Sequence, residues 1–318
     1  MLGKSELKEK IKITKDKVEC PIKGCDRFVT RQRKYFKREK LFQCQTHKIF
    51  ISPSTFEYLN ELDNMLWKNH EDMELFQKIS GSKRESRIAR DNSEDAVTWN
   101  VFRFLERNGM INDFMEMVAP SGQGRAEVLY WSFSQSEGNA WSELRKARQE
   151  FEMVPEKGTE PDIIIKNNKY LFFVEAKLDS GSKTIPRNTR VLERYERAGE
   201  GWFSKVFKSD IRVVALKEKL YELMRLWLLG TWISQNMNLN FYLVNLIRSN
   251  KMFGTDFHAH IIENEGRRFA ETSWEEIYKL ISLDKTVTKE KDIILEYFRN
   301  KTLGYDRKGE LRHAFSLP

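Results

Sequence analysis

Two short runs constrain this chain more than any other feature. Residues 162–165 (Asp-Ile-Ile-Ile) and 170–176 (Tyr-Leu-Phe-Phe-Val-Glu-Ala) are apolar at almost every position and flank Asn167-Asn168. Strands of that composition need cover on both faces. Asparagine tolerates the left-handed backbone of a tight turn, so the pair reads as a hairpin inside a covered sheet. Further strands are expected over 127–133 and 241–247. Helical patterns surround them. One is expected after Ser54 (Phe56, Leu59, Leu62, Leu66, Trp67), one capped by Ser93 (Ala96, Val97, Val101, Phe104, Leu105), and one over 141–151. A short helix over 191–197 and a long buried one over 213–233 follow. Ser273-x-x-Glu276 is a capping box, and Thr288 caps a last helix to Phe298. Alternating helices and strands give an α/β or α+β class, with α/β the expectation carried forward.

The hairpin carries charge where charge is costly. With the turn centred on Asn167-Asn168, cross-strand partners sum to 335, and Asp162 faces Phe173. Glu175 and Lys177 then share its face by period-two alternation. Asp162 and Glu175 become diagonal neighbours, roughly 7–8 Å apart. Two acids facing a covered sheet require compensation. A hard divalent cation such as Mg2+ or Mn2+ would provide it through oxygen ligands. Such an ion polarises a phosphoryl oxygen and acidifies water, and Lys177 would orient the nucleophile or stabilise developing charge.

Pro161-Asp162 followed, after twelve residues, by Glu175-Ala176-Lys177 resembles the hallmark of the PD-(D/E)xK nuclease superfamily. The resemblance covers roughly residues 90–285. It implies a restriction-endonuclease-like core, a mixed central sheet flanked by helices. It also implies a Mg2+-dependent catalytic set of Asp162, Glu175 and Lys177, completed by a glutamate from the first core helix, for which Glu94 is suitably placed. Glu160, in Glu160-Pro161-Asp162, flanks the set.

The N-terminal segment has a chemistry of its own. Cys20-x4-Cys25-x18-Cys44-x2-His47 uses every cysteine in the chain. Two close pairs of soft and borderline ligands on two turns are what tetrahedral Zn2+ takes. Pro21 and Gly24 suit a tight knuckle, and a structural metal explains how a segment poor in aliphatics can fold. Between the pairs, Lys23, Arg27, Arg31, Arg33, Lys34, Lys37, Arg38 and Lys40 are opposed by Asp26 and Glu39 alone, eight cations against two anions. Phe28, Tyr35, Phe36 and Phe42 interleave with them. Cations neutralise phosphates and aromatics stack on bases, so this finger is expected to touch nucleic acid. Arg187 and Arg190, just after the second strand, are a second candidate grip on the phosphate backbone. His258 and His260 read as structural histidines on one strand face.

The whole chain is basic, with formal net charge +8, which favours a polyanionic partner. No apolar run approaches a membrane span, the N-terminus has no signal-like segment, and three cysteines make no disulfide scaffold. An intracellular, cytoplasmic location without membrane partners is therefore expected. No Gly-x4-Gly-Lys-Ser/Thr loop is present, so no nucleotide-driven motor is expected. Four segments are expected: a zinc finger (1–52), a helical connector (53–88), the nuclease core (89–285) and a C-terminal helix and tail (286–318). The expected function is metal-dependent phosphodiester hydrolysis, in DNA first, of restriction, repair or mobile-element type. The rivals are a non-cleaving binding module on the same fold and an RNA-cleaving nuclease. Double-strand cutting would call for a homodimer.

Overall fold

The computed structural model of the chain describes all residues except 34, 83–86, 120–123, 182, 252–255 and 318, and the side chains of Ser82 and Lys157. Its elements run β1 (Lys17–Glu19), β2 (Phe28–Thr30), β3 (Phe50–Ile51), β4 (Phe56–Glu57), α1 (His70–Ser82), α2 (Glu94–Arg107), α3 (Ile111–Val118), β5 (Glu127–Tyr130), β6 (Phe133–Ser134), β7 (Asn139–Ala140), α4 (Ser142–Phe151), β8 (Ile163–Lys166), β9 (Tyr170–Ala176), α5 (Val191–Val206), α6 (Tyr221–Met237), β10 (Asn240–Ile247), β11 (Arg267–Ser273), α7 (Trp274–Leu283), α8 (Lys289–Asn300), β12 (Thr302–Tyr305) and β13 (Leu311–His313). The chain divides into two compact units. The first holds residues 1–73, 85–104 and 274–318; the second holds 74–84 and 105–273.

The second unit is built on a seven-stranded mixed sheet, in the order β11-β10-β9-β8-β5-β6-β7 among the described residues. β9, β10 and β11 run parallel, and the strands from β9 through β8, β5 and β6 to β7 pair antiparallel. One face carries Leu129, Ile164, Leu171, Phe173, Phe241, Leu243 and Phe269 into a single core with α4, α5 and α6. Stacked Phe172 and Tyr242 belong to the opposite face. Residues 163–165 are fully buried, as strands with two covered faces must be.

The first unit ties the two ends of the chain together. β1 and β2 form a hairpin over the cysteine segment. The C-terminal β12–β13 hairpin joins the same unit, because Leu311 N–H donates to the Glu9 carbonyl and the Tyr305 hydroxyl donates to that of Lys8, both at 2.9 Å. Gly304, at φ +77°, passes so close to the Ser54 carbonyl that a β-carbon there would lie 2.0 Å from its oxygen. The tail and the finger therefore form one body rather than the separate segments that reading along the sequence gives.

Several elements depart from the sequence reading. Residues 55–69 form no α-helix. Phe56 pairs with Ile51 in a short strand, and Asn60 then caps a 3-10 turn over Glu61–Asn64; Phe56 and Trp67 are buried but Leu59 is exposed, so the apolar spacing marks no single buried helix face. The expected long helix breaks at Lys219, whose φ of +62° ends a π-helical turn (Val213–Lys217) before α6 begins. α5 extends to Val206 across a non-helical bend at residues 198–201. β11, rich in charge, was not foreseen. His258 and His260 lie in a turn, not a strand, bound to Glu263 and Ser209. Ser93 and Thr288 cap their helices as read, accepting from Ala96 N–H and Lys291 N–H, each at 3.1 Å.

Gly230 in α6 is a packing requirement. A β-carbon there would lie 2.1 Å from the Phe241 ring, which Phe173 and Trp227 hold edge-on and tilted. Gly230→Ala would gain about 1 kcal/mol of helix propensity at an open site, but overpacking a tight core costs about 1–3 kcal/mol. A net loss of stability in denaturant unfolding is the expected outcome; a more stable variant would show that the core yields.

Candidate metal centre and acidic strand-end cluster

In the first unit the four sulfur and nitrogen ligands converge. Cys20, Cys25, Cys44 and His47 each offer one ligand atom within 4.8 Å of all the others. The Sγ–Nδ1 distances from Cys20 and Cys44 to His47 are 3.6 Å, and Cys25 Sγ lies 3.9 Å from Cys44 Sγ. A tetrahedral ion with sulfur at about 2.3 Å and nitrogen at about 2.0–2.1 Å puts its ligand sulfurs about 3.8 Å apart and sulfur and nitrogen about 3.6 Å apart. The observed edges match, and the three thiols are buried and unbridged. Gly24, at φ +74°, makes the first knuckle, and the Lys48 N–H closes the second on the Cys44 carbonyl at 2.8 Å. Burial opposes the Cys44 thiolate, but backbone N–H groups of His47 and Thr46 outweigh it and lower its pKa. The group can hold a metal ion such as zinc.

The basic residues around it divide. Arg31 donates to the Thr14 carbonyl, Arg33 pairs with Asp16 at 3.0 Å, Lys37 with Glu39 at 3.4 Å, and Arg38 caps the Tyr58 and Leu59 carbonyls over the Phe50 ring. Arg27 is exposed, and Lys34 lies outside the described residues. Phe42 is core, whereas Phe28 and Tyr35 are 41% and 80% exposed.

The hairpin of the second unit keeps its parity but slips by two residues. Ile163 pairs with Val174 and Ile164 with Phe173, so partners sum to 337 and the loop is Asn168-Lys169, closed by the Asn167 N–H to the Tyr170 carbonyl at 3.0 Å. In that register Asp162 comes opposite Glu175, closer than the diagonal expected. Asp162 Oδ2 accepts the Ala176 N–H at 2.9 Å across the strand ends. Glu175 is 4% exposed and Lys177 9%. The Lys177 ammonium is paired with Glu175, and it also reaches Glu222 Oε2 at 3.0 Å. Asp162, Glu175 and Lys177 thus gather at one end of the sheet, beside the first turn of α6.

Glu222 is the residue that sequence reasoning missed. It stands in the first turn of α6, whose N-terminus the Thr184 hydroxyl caps by accepting the Glu222 N–H at 2.8 Å. No sequence signal marked it, because the expected helix over 213–233 would have put it in mid-helix. Glu94, by contrast, opens α2 in the first unit, so the cluster described here consists of second-unit residues alone. Glu160 is drawn toward Arg148 (3.6 Å) and Ser132 (3.2 Å). Asn245, beside Glu175 in register, donates to Glu271 at 2.9 Å and extends the polar row across β10 and β11. Arg187 and Arg190 are exposed just ahead of α5.

Burial pushes the Glu175 carboxyl well above the ordinary carboxylate range; the Glu222 and Asp162 carboxylates add to this, and the Lys177 ammonium opposes it only in part. Fully ionised, Asp162, Glu175, Glu222 and Lys177 carry net −2. Among the described residues, the carboxylates are not drawn into a three-ligand group; the cysteine–histidine set alone meets that spacing. No helix among the described residues is long and apolar enough to cross a membrane. Neither family models, curated proteins nor solved structures match the chain.

Two outcomes follow. Purified protein should contain one zinc per chain by mass spectrometry, and Cys44→Ser should lose it and melt at a lower temperature. Because burial raises the folded pKa of Glu175, its protonated form stabilises the fold fully below the ordinary glutamate pKa of 4.5, and this contribution is lost as pH rises through the raised value. Melting without added divalent metal should therefore fall more steeply with pH above 4.5 in the wild type than in Glu175→Gln; parallel curves would remove the assignment.

Proposed function

We propose that the chain is a metal-dependent nuclease of the PD-(D/E)xK type, acting first on DNA, with a zinc-bearing N-terminal finger that helps to hold the nucleic acid. The observation that carries the reading is the meeting of Asp162, Glu175 and Lys177 on neighbouring strand ends, against a sheet face covered by helices. The basic balance of the chain and the exposed Arg27, Arg187 and Arg190 support a nucleic-acid substrate.

The donor set fits a magnesium-class ion. Its acceptors are carboxylate oxygens, its net charge of −2 matches a divalent cation, and Glu175 is held in an environment that disfavours its own charge. Asp162 and Glu175 would hold the ion, with Glu222 as a third acid in the place that the resemblance gives to Glu94. The ion would supply charge to stabilise the phosphoryl oxygens of the scissile phosphate. The Ala176 N–H fixes the Asp162 carboxylate, so that oxygen needs no reorganisation on binding. Lys177 is a proton-bearing donor held between two acids. With Glu175 engaged by the ion, Glu222 would keep the Lys177 ammonium in place to orient the attacking water or to meet charge on the phosphate.

A second reading has one observation in its favour. Lys177 is already ion-paired with both Glu175 and Glu222, and among the described residues the acids do not form a group of three ligand atoms. That arrangement suits a fold that binds nucleic acid without cutting it.

The test is a Mg2+ and Mn2+ titration on supercoiled plasmid, single-stranded DNA and RNA. The nuclease reading expects metal-dependent cleavage that Asp162→Ala and Lys177→Ala each reduce by about 10³-fold, and Glu222→Gln by about 10²–10³-fold, measured at a temperature where circular dichroism shows each variant folded. Cleavage that survives Asp162→Ala and Lys177→Ala removes the assignment. Tight binding without cleavage on every substrate favours the second reading, and cleavage confined to RNA moves the substrate class.

A further inference from the structure

The first unit contains a groove that the acidic cluster does not explain. A hollow of about 590 Å³ is lined by Lys15, Arg31, Arg33 and Arg90 together with Tyr35 and Phe36; among its described lining residues there is no carboxylate. A second hollow of about 500 Å³ shares Arg31, Pro53 and Ser54 with it and continues to Arg307 and Arg312 of the C-terminal hairpin. The two form one track with six cations along it. Its single lining acid, Asp306, is occupied by the N–H groups of Lys308 and Glu310 at 2.8 and 2.9 Å.

The cations are placed rather than loose. Arg33 is braced by Asp16 at 3.0 Å, Arg31 by the Thr14 carbonyl at 2.9 Å, and Arg90 by Glu57 at 2.7 Å. Each brace engages one nitrogen of a guanidinium that has five N–H donors. The Arg90 guanidinium lies 5.1 Å from the centre of the Phe36 ring, which fixes that ring as a wall of the groove. Tyr35 at the rim is 80% exposed. An aromatic ring held beside a cationic track offers a stacking surface for an unpaired base, whereas bases inside a duplex are stacked on each other and present only their edges.

We propose that this groove binds a single-stranded stretch of nucleic acid, with successive phosphates on Lys15, Arg33, Arg31 and Arg307 and one unpaired base on Tyr35. A strand fits better than a free nucleotide because the cations extend past one hollow into the next. The inference shares with the nuclease reading the premise of a nucleic-acid ligand, and it adds the substrate class: DNA or RNA with an unpaired segment next to the finger.

The test uses the full, zinc-loaded chain carrying Asp162→Ala, without added Mg2+ or Mn2+, so that binding is read apart from cleavage. Fluorescence anisotropy with a labelled 12-nucleotide single strand and its duplex should give tighter binding of the single strand. Tyr35→Ala should weaken the single strand by about 5- to 150-fold and leave the duplex unchanged. Arg307→Ala should lower the salt slope for the single strand by about 0.7. Both variants change exposed side chains, and their melting curves should overlay the parent. Equal affinity for both probes, an equal effect of Tyr35→Ala on both, or displacement of the single strand by an equal concentration of a mononucleotide would each overturn the proposal. A groove that passes this test while the unsubstituted chain fails to cleave would leave the strand-binding inference standing and the nuclease reading without support.

Discussion

The pairing of β8 with β9 is the constraint on which the second unit rests. A two-residue loop sets the register, and the register sets which side chains end the strands on the helix-covered face. Ile164, Leu171 and Phe173 enter the core under α4, α5 and α6. The next residues on that face are Asp162, Glu175 and Lys177. A shift of one residue would send the acids to the other face and the aromatics with them. The same apolar burial that holds the hairpin strips water from Glu175, and the ammonium two residues on becomes a necessity rather than an ornament.

Much of this was legible because it depends on short-range pattern. Continuous apolar strands, the parity of a hairpin, the Ser93 and Thr288 caps and the cysteine spacing all act over a few residues, and each appears where the sequence puts it. The misses lie where tertiary contact overrides local preference. Phe56, Leu59, Leu62 and Leu66 have helical spacing, yet Phe56 is claimed by a strand pair and Asn60 by its own cap. Lys219 takes a left-handed backbone that its residue type does not announce, and this break moves Glu222 to a helix start beside Lys177. β11 pairs in parallel with β10 although five of its seven side chains are polar, because it lies at the edge of the sheet.

The finger shows how sequence charge overstates available charge. Of its basic residues, Arg31, Arg33 and Arg38 spend donors on carbonyls or acids of the same unit. Those contacts cost the finger some freedom and give its cations fixed positions. The aromatics divide in the same way: Phe42 fills the core, while Phe28 and Tyr35 face outward. A charge count over the segment cannot separate these roles; only the partners of each side chain do.

The return of the C-terminal hairpin to the finger also bears on how the molecule is made. The four candidate ligands precede the sheet unit in the chain and can converge early, while the strands that complete their surroundings, β12 and β13, are translated after it. Between these two moments the whole sheet unit emerges from the ribosome. An ion taken early by those four side chains would be held before β12 and β13 close over it, so the β1–β2 and β12–β13 hairpins of this unit need not form together.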